Sequence, residues 1–289
     1  MSARSARRIS PPQPRRPAPE LVQQMPAPVS LTALRIGFWG FGLLLASAQA
    51  WICRYEASTD SISYLDVSDG VFPGSNWHRL INGVWSPLYP FLLGLFRRIF
   101  HVSPANEVVA GHLLNVGFFL FALICFELFL RAAQRKPPLR NELASRGGRA
   151  VALPTWAYLS FGYALFIWAS VFGISLRFLQ ADMLMSGFVY LAVGMLLRML
   201  DQPARWKNHV TLGTILGIGF LAKAVFLPIG LVVLAASLFA VEDWRPALKE
   251  GAIALAVFFL VSSVYFVPLS LSAAPLRWAR VAHSTTWYT

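Results

Sequence analysis

Four carboxylates crowd into one short stretch, "EASTDSISYLDVSDG": Glu56, Asp60, Asp66 and Asp69, in a chain that otherwise reads as greasy helix. Acids are expensive near hydrocarbon, so a cluster of them asks for a structural or chemical reason. Ser58, Thr59 and Asp60 are all helix-capping residue types, and the residues after them can start a short helix. On such a helix Asp60 and Tyr64 lie one turn apart on a shared face. The plain reading of Asp60 is a cap that interacts with the helix dipole.

Further along, Asp182 opens an apolar run. It reads either as a first-turn acid favoured by the dipole or as a second acid beside Asp60, able to hold an acceptor amine or a metal. Two carboxylates plus water suffice to hold a divalent cation, although no His/Asp cluster demands one. Lys223, in "GFLAKAVFLP", falls at the end of a glycine-rich run. A lysine there snorkels to the interface or meets a lipid phosphate. His78 and Arg79, in "WHRLING", and Arg177, in "GISLRFLQ", read as solvated loop residues or as phosphate and sugar contacts. The two cysteines, Cys53 and Cys125, have no metal-ligand spacing and read as packing residues.

The elements that must position these groups are membrane helices. Of the 289 residues, 56% are hydrophobic and only 13% charged, against about 25% charged in soluble domains. Apolar runs at about 34–53, 106–130, 151–172, 181–200, 210–241 and 250–271 can each cross a hydrocarbon core of about 30 Å. The run at 210–241 is too long for one span. Pro228 offers a break, giving two short helices and about seven spans, or six if the run is one tilted helix. The expected architecture is an all-α polytopic membrane bundle. Residues 1–32 form a disordered, basic, proline-rich tail and 33–271 the transmembrane domain, with an external loop at 54–105. Residues 272–289 follow as an extracytoplasmic segment. "ASAQA" (46–50) resembles a signal-peptidase site, but Trp51 extends the apolar run, so the first span is read as uncleaved.

The net charge of +12 sits mostly in the tail and in short loops rather than in a stripe interleaved with aromatics, which excludes a nucleic-acid groove. The basic tail and the loop at 131–150 both belong in the cytoplasm, so the acidic 54–105 segment lies outside. A bacterial inner membrane is the expected home. "WSPLYPFLLGLFRRIF" reads as an amphipathic interfacial helix with Arg97 and Arg98 at headgroup level. Trp51 and Trp168, with Trp206 and Trp244 at the other boundary, fit an aromatic belt. Trp77 and Trp85, in the external loop, are open to sugar stacking or to anchoring.

An Asp followed four residues later by Tyr in the first external loop, then "NGVWSPLYPFLLGLF", resembles the GT-C superfamily of membrane glycosyltransferases, of the family 39 (protein mannosyltransferase-like) type. "LQADMLMSGFVYLAVGMLLR" (179–198) is similar to the acid-bearing start of that family's fourth span. "LGTILGIGFLAKAVFLPIGLVVL" (212–234) is similar to its glycine-rich span ending in a Lys. The resemblance implies transfer of a sugar from a polyprenyl-phosphate donor to a lipid, glycan or protein hydroxyl. Asp60 inherits the role of catalytic base, worth about 10²–10⁴-fold in rate. Tyr64 would orient the Asp or line the pocket, and Lys223 would meet the donor phosphate. No cofactor is implied with certainty.

Two departures qualify the resemblance. Some members carry a Lys just before the proline-containing stretch of the first loop, where this chain has Ser86. The superfamily usually has 11 or more spans, so a chain of about seven is expected to be an N-terminal half, a short variant or one needing a partner. The competing classes are a lipid or solute transporter or flippase, and a non-catalytic membrane subunit.

Overall fold

A computed structural model describes residues 30–134, 154–200, 206–239 and 244–285, with side chains as far as 272 in the last segment. Most of the basic tail and of the 131–150 loop therefore lies outside the described residues. Every regular element among those described is helical. Helix α1 (Leu31–Ile52) starts at Ser30, whose Oγ accepts from the Ala33 N–H at 3.1 Å. Helices α2 (Thr59–Ser68) and α3 (Leu88–Ile99) follow, joined by single 3₁₀ turns. Helix α4 (Glu107–Gln134) is the longest element in the centre of the bundle. Beyond it come α5 (Thr155–Trp168), α6 (Asp182–Met199), α7 (Trp206–Ala222), α8 (Phe226–Leu238) and α9 (Trp244–Thr285).

Five of these elements are long and apolar enough to cross a membrane: Leu31–Ile52, Pro104–Gln134, Thr155–Ile174, Asp182–Met199 and Trp244–Ser272. This is an integral membrane protein. The 210–241 run is broken into two short helices as expected, α7 with 17 residues and α8 with 13, beside the five membrane-length elements. At about 1.5 Å per residue the two short helices reach roughly 25 and 20 Å, short of a core about 30 Å thick. The break between them is displaced from Pro228 to Lys223–Val225. The Lys223 N–H still bonds to the Gly219 carbonyl at 3.1 Å, and the Phe226 N–H bonds to the Lys223 carbonyl at 2.9 Å. Pro228 is the third residue of α8, where its missing N–H costs nothing.

Helix α4 packs on α6 and α1, α9 packs on α7, and α6 against α7 joins the two groups. Aromatic side chains fill the centre, with Phe126 stacked on Phe166 at 4.8 Å and Phe119 fully buried. Helices α2 and α3 cap one end of this bundle, α3 touching both α4 and α7. The apolar side chains Ile36, Phe41, Leu44, Phe259, Leu260 and Val264 point outward without protein cover, as lipid-facing residues do. Trp51, Trp168, Trp206 and Trp244 are all exposed at helix ends, in keeping with a belt. Cys53 and Cys125 are buried and unpaired. Helix α9 runs on through Thr285, past the boundary expected at 271.

Helix α3 departs from the interfacial reading in one respect. Arg97 is buried in protein contacts, and of the two arginines only Arg98 is exposed. The α2–α3 cap is pulled close by Gly94, where an added Cβ would lie 2.9 Å from Val71 Cβ and overlap the Ser68 carbonyl oxygen. Gly94→Ala should therefore destabilise the fold by about 1–3 kcal/mol. Gly37→Ala, with nothing within 4 Å, should be neutral or stabilising by up to about 1 kcal/mol. Thermal unfolding of the two variants in detergent checks the contrast.

Candidate functional site

The site is built on the segment 175–181 between α5 and α6, which has little regular hydrogen bonding of its own. Its backbone groups are taken up by side chains from three other helices. Gln49 of α1 donates to the Val171 carbonyl at 3.1 Å and to Ser175 Oγ at 3.2 Å, and accepts from the Leu176 N–H at 3.0 Å. Ser175 stands at φ 64°, a strained conformation for a residue with a side chain, and this clamp holds it. His112 of α4 sits between the Leu176 and Glu56 carbonyls, both at 3.1 Å. Asn115, one turn on, donates to the Phe178 carbonyl at 3.0 Å and accepts the Tyr89 hydroxyl at 3.0 Å. Ser61 of α2 accepts from the Leu179 N–H at 3.1 Å.

Helix α2 is capped by Ser58, not by Asp60. Ser58 and Ser61 form a reciprocal capping box, with Ser58 Oγ accepting from the Ser61 N–H at 3.2 Å and Ser61 Oγ accepting from the Ser58 N–H at 3.1 Å. Asp60 is thus free of capping duty. It lies in the first turn, exposed, with no hydrogen bond or ion pair to the described residues. One turn later Tyr64 is buried, its ring 4.7 Å from Trp85 and 4.7 Å from Tyr89. Burial pushes the Tyr64 phenol well above its ordinary value, and the carboxylates of Asp182 and then Asp60 push it further the same way. Both acids therefore act on a single phenol that keeps its proton.

Asp182 is the first residue of α6, and Lys223 directly follows the last residue of α7. Lys223 Nζ donates to Asp182 Oδ1 in a half-buried ion pair across the two helices. The sequence-expected residues Asp60, Tyr64, Asp182 and Lys223 are thus brought to one end of the bundle. The other two candidates are not at this centre. His78 stacks on Trp77 at 4.0 Å, and Arg79 lies 3.9 Å from Asp69, both exposed on the turn at 77–80. Arg79, Ser63, Asp66, Asn82 and Trp85 line an open hollow of about 570 Å³ on the far side of Trp85. Arg177 pairs with Glu56 instead of standing free. Among the described residues no group of three or more His, Cys, Asp or Glu side chains could hold a metal.

An apolar cavity of about 290 Å³ adjoins the cluster, lined by Trp77, Ile81, Leu88, Phe91, Leu221 and Tyr265. Leu221 lies two residues before Lys223, and the Tyr265 hydroxyl donates to the Trp85 carbonyl at 3.4 Å. Ser86 precedes Pro87 of this lining, and its buried hydroxyl has no partner among the described residues. A third feature was invisible in the sequence. Arg97 donates to Asp69 at 2.9 Å, to Ser68 Oγ at 2.7 Å and to Glu107, tying α2, α3 and α4 together. No spacing rule links Asp69, Arg97 and Glu107, so only the fold reveals them as one unit.

Two outcomes follow. Arg97→Leu removes the hydrogen bonds to Asp69, Ser68 and Glu107 but leaves both acids part-exposed, and should cost about 1–3 kcal/mol in unfolding measurements. The raised Tyr64 phenol contributes stability in full below about pH 10, its unfolded value. That contribution is lost as pH climbs through the higher folded value. Thermal stability should therefore fall above about pH 10, and Tyr64→Phe should flatten the fall.

No protein-family model, no curated protein and no solved structure matches this chain.

Proposed function

We propose that the protein is a membrane glycosyltransferase, acting at the end of the bundle that carries α2 and α3. It moves a sugar from a polyprenyl-phosphate donor to a hydroxyl of a lipid, glycan or protein acceptor. The observation that carries this reading is that Asp182, paired with Lys223, and Asp60, without a partner among the described residues, both act on Tyr64, while Leu221, two residues before Lys223, lines an apolar cavity. That combination offers a base, a cation and a place for a polyprenyl chain within one region. The basic tail and loops support a cytoplasmic N-terminus in a bacterial inner membrane, which puts this region on the extracytoplasmic face.

The chemistry divides among the residues as follows. An acceptor hydroxyl attacks the anomeric carbon while Asp60 takes its proton. The bond from the anomeric carbon to the phosphate oxygen breaks, and the polyprenyl phosphate leaves with the bonding electrons. Negative charge develops on the phosphate, where the Lys223 ammonium is the available cation. Asp182 holds Lys223 in place until the phosphate competes for it. Tyr64, neutral and buried, packs behind Asp60 and Trp85 and fixes their approach. A single displacement inverts the anomeric carbon.

The transporter or flippase reading has one specific observation in its favour. The α7–α8 break places an ion-paired lysine where two short helices meet, and transporters bind substrates at broken helices. Transport and transfer are separated by the product. Membranes containing the protein should attach sugar from a radiolabelled polyprenyl-phosphate donor to an acceptor. Asp60→Asn should lower the rate by about 10²–10⁴-fold with expression unchanged. Lys223→Gln should also lower the rate. Transfer that survives Asp60→Asn sinks the mechanism, and movement of unaltered donor across the membrane favours transport.

A further inference from the structure

The opposite end of the bundle holds a cavity of about 340 Å³ between α4, α6 and α7, remote from the acidic cluster. Its lining includes Arg131, Tyr190, Leu191, Met195, Arg198 and Ile215. The two cationic members lie together at one end of the cavity. Arg131 and Arg198 lie in the last turns of α4 and α6, at the end of the bundle. Tyr190 lies just over two turns deeper, about 12 Å at 1.5 Å per residue. The cavity therefore has a cationic mouth and an apolar wall that runs toward the middle of the bundle.

The two arginines differ in what they already hold. Arg131 Nε is bound by the buried carboxylate of Glu127 at 2.6 Å, and its terminal nitrogens hold no hydrogen bond to the described residues. Glu127 also takes Arg35 at 3.2 Å and the Tyr163 hydroxyl, so Arg131 shares this carboxylate with two other donors. Arg198 is exposed and makes no ion pair or hydrogen bond to the described residues. The Tyr190 hydroxyl is equally without a partner among them. A cation in the last turn of a helix complements its dipole, but that does not require a cavity.

We infer that this cavity binds an anionic glycerophospholipid of the surrounding leaflet. The headgroup phosphate meets Arg198 and the terminal nitrogens of Arg131. One acyl chain lies along Leu191, Met195 and Ile215. A guanidinium matches a phosphate oxygen pair in geometry as well as in charge. Basic pockets between membrane helices at the headgroup level are suited to such lipids. The apolar wall sets this site apart from one for a free anion, which would need polar groups on all sides. A zwitterionic choline headgroup brings a second cation against the two guanidinium groups and is disfavoured.

Native mass spectrometry of the full chain in detergent tests this, with phosphatidylglycerol and phosphatidylcholine of identical acyl chains. The protein should retain phosphatidylglycerol about five-fold more strongly, in line with one well-placed arginine at a membrane surface. Arg198→Gln should bring the two lipids to near parity, and Arg198→Lys should keep part of the preference. Raised salt should weaken the preference, while inorganic phosphate at the same concentration should not displace the lipid. Equal retention of the two lipids by the unaltered protein overturns the inference, and this comparison needs no variant. An unchanged preference in a folded Arg198→Gln protein overturns it too. Displacement by inorganic phosphate alone would identify an anion site in its place.

Discussion

Everything at the α2/α3 end depends on satisfying the backbone of 175–181. This segment leaves the helical ladder at the wide turn Ala169–Ile174, and α6 begins only at Asp182. A buried amide or carbonyl left unpaired costs about 1–3 kcal/mol, and the surroundings are too apolar to supply water freely. Gln49, His112, Asn115 and Ser61 each take up part of that demand. In doing so they fix where α1, α4 and α2 stand relative to the start of α6. The position of Asp182, and through Ser61 the position of Asp60, are consequences of this clamp.

A second constraint is the handling of charge at the two ends. At one end Arg97 is buried and shared by Asp69 and Glu107. At the other, Glu127 is buried and shared by Arg35, Arg131 and Tyr163. Each arrangement surrounds one buried ion with more than one partner, the condition under which burying a charge is tolerable. The first ties together the successive helices α2, α3 and α4, and the second joins α4 to α1 and α5. They act as rivets for the bundle, and their consumption of charge decides which ionisable groups remain available. Asp60 at one end and Arg198 at the other are left over.

Much of the helical layout was legible in the sequence, because apolar run length alone separates α1, α4, α5, α6 and α9. The pairing of Asp60 with Tyr64 on one face of α2 follows from their spacing and holds in the structure. The break between α7 and α8 was legible as an event but misplaced. Proline was the visible marker, yet the chain turns at Lys223, where an ion pair to Asp182 favours the turn. Gln49, His112 and Asn115 escaped notice because their partners are backbone groups of 171–178, more than 60 residues away by the separations of 122, 64 and 63. A single polar residue in an apolar run carries no local signal of what it will bind. The same holds for Arg97, which looked like an interfacial cation because its acids belong to other elements.

The two acids near Tyr64 are chemically unlike, although the sequence presents them as a pair. Asp182 has a cation in contact, and the first-turn N–H groups of α6 stand behind it, so its charge is already compensated. Asp60 shares the dipole benefit of α2 but has no cation and remains exposed. A carboxylate already tied in an ion pair has less room for a further cation, whereas one exposed on a well-capped helix stays open to an incoming group. The division of labour at this site therefore follows from which helix each acid begins and which cation that helix meets. Had the α7–α8 turn fallen at Pro228, Lys223 would lie inside a continuing helix, away from the helix end where it meets Asp182, and the two acids would compete on equal terms.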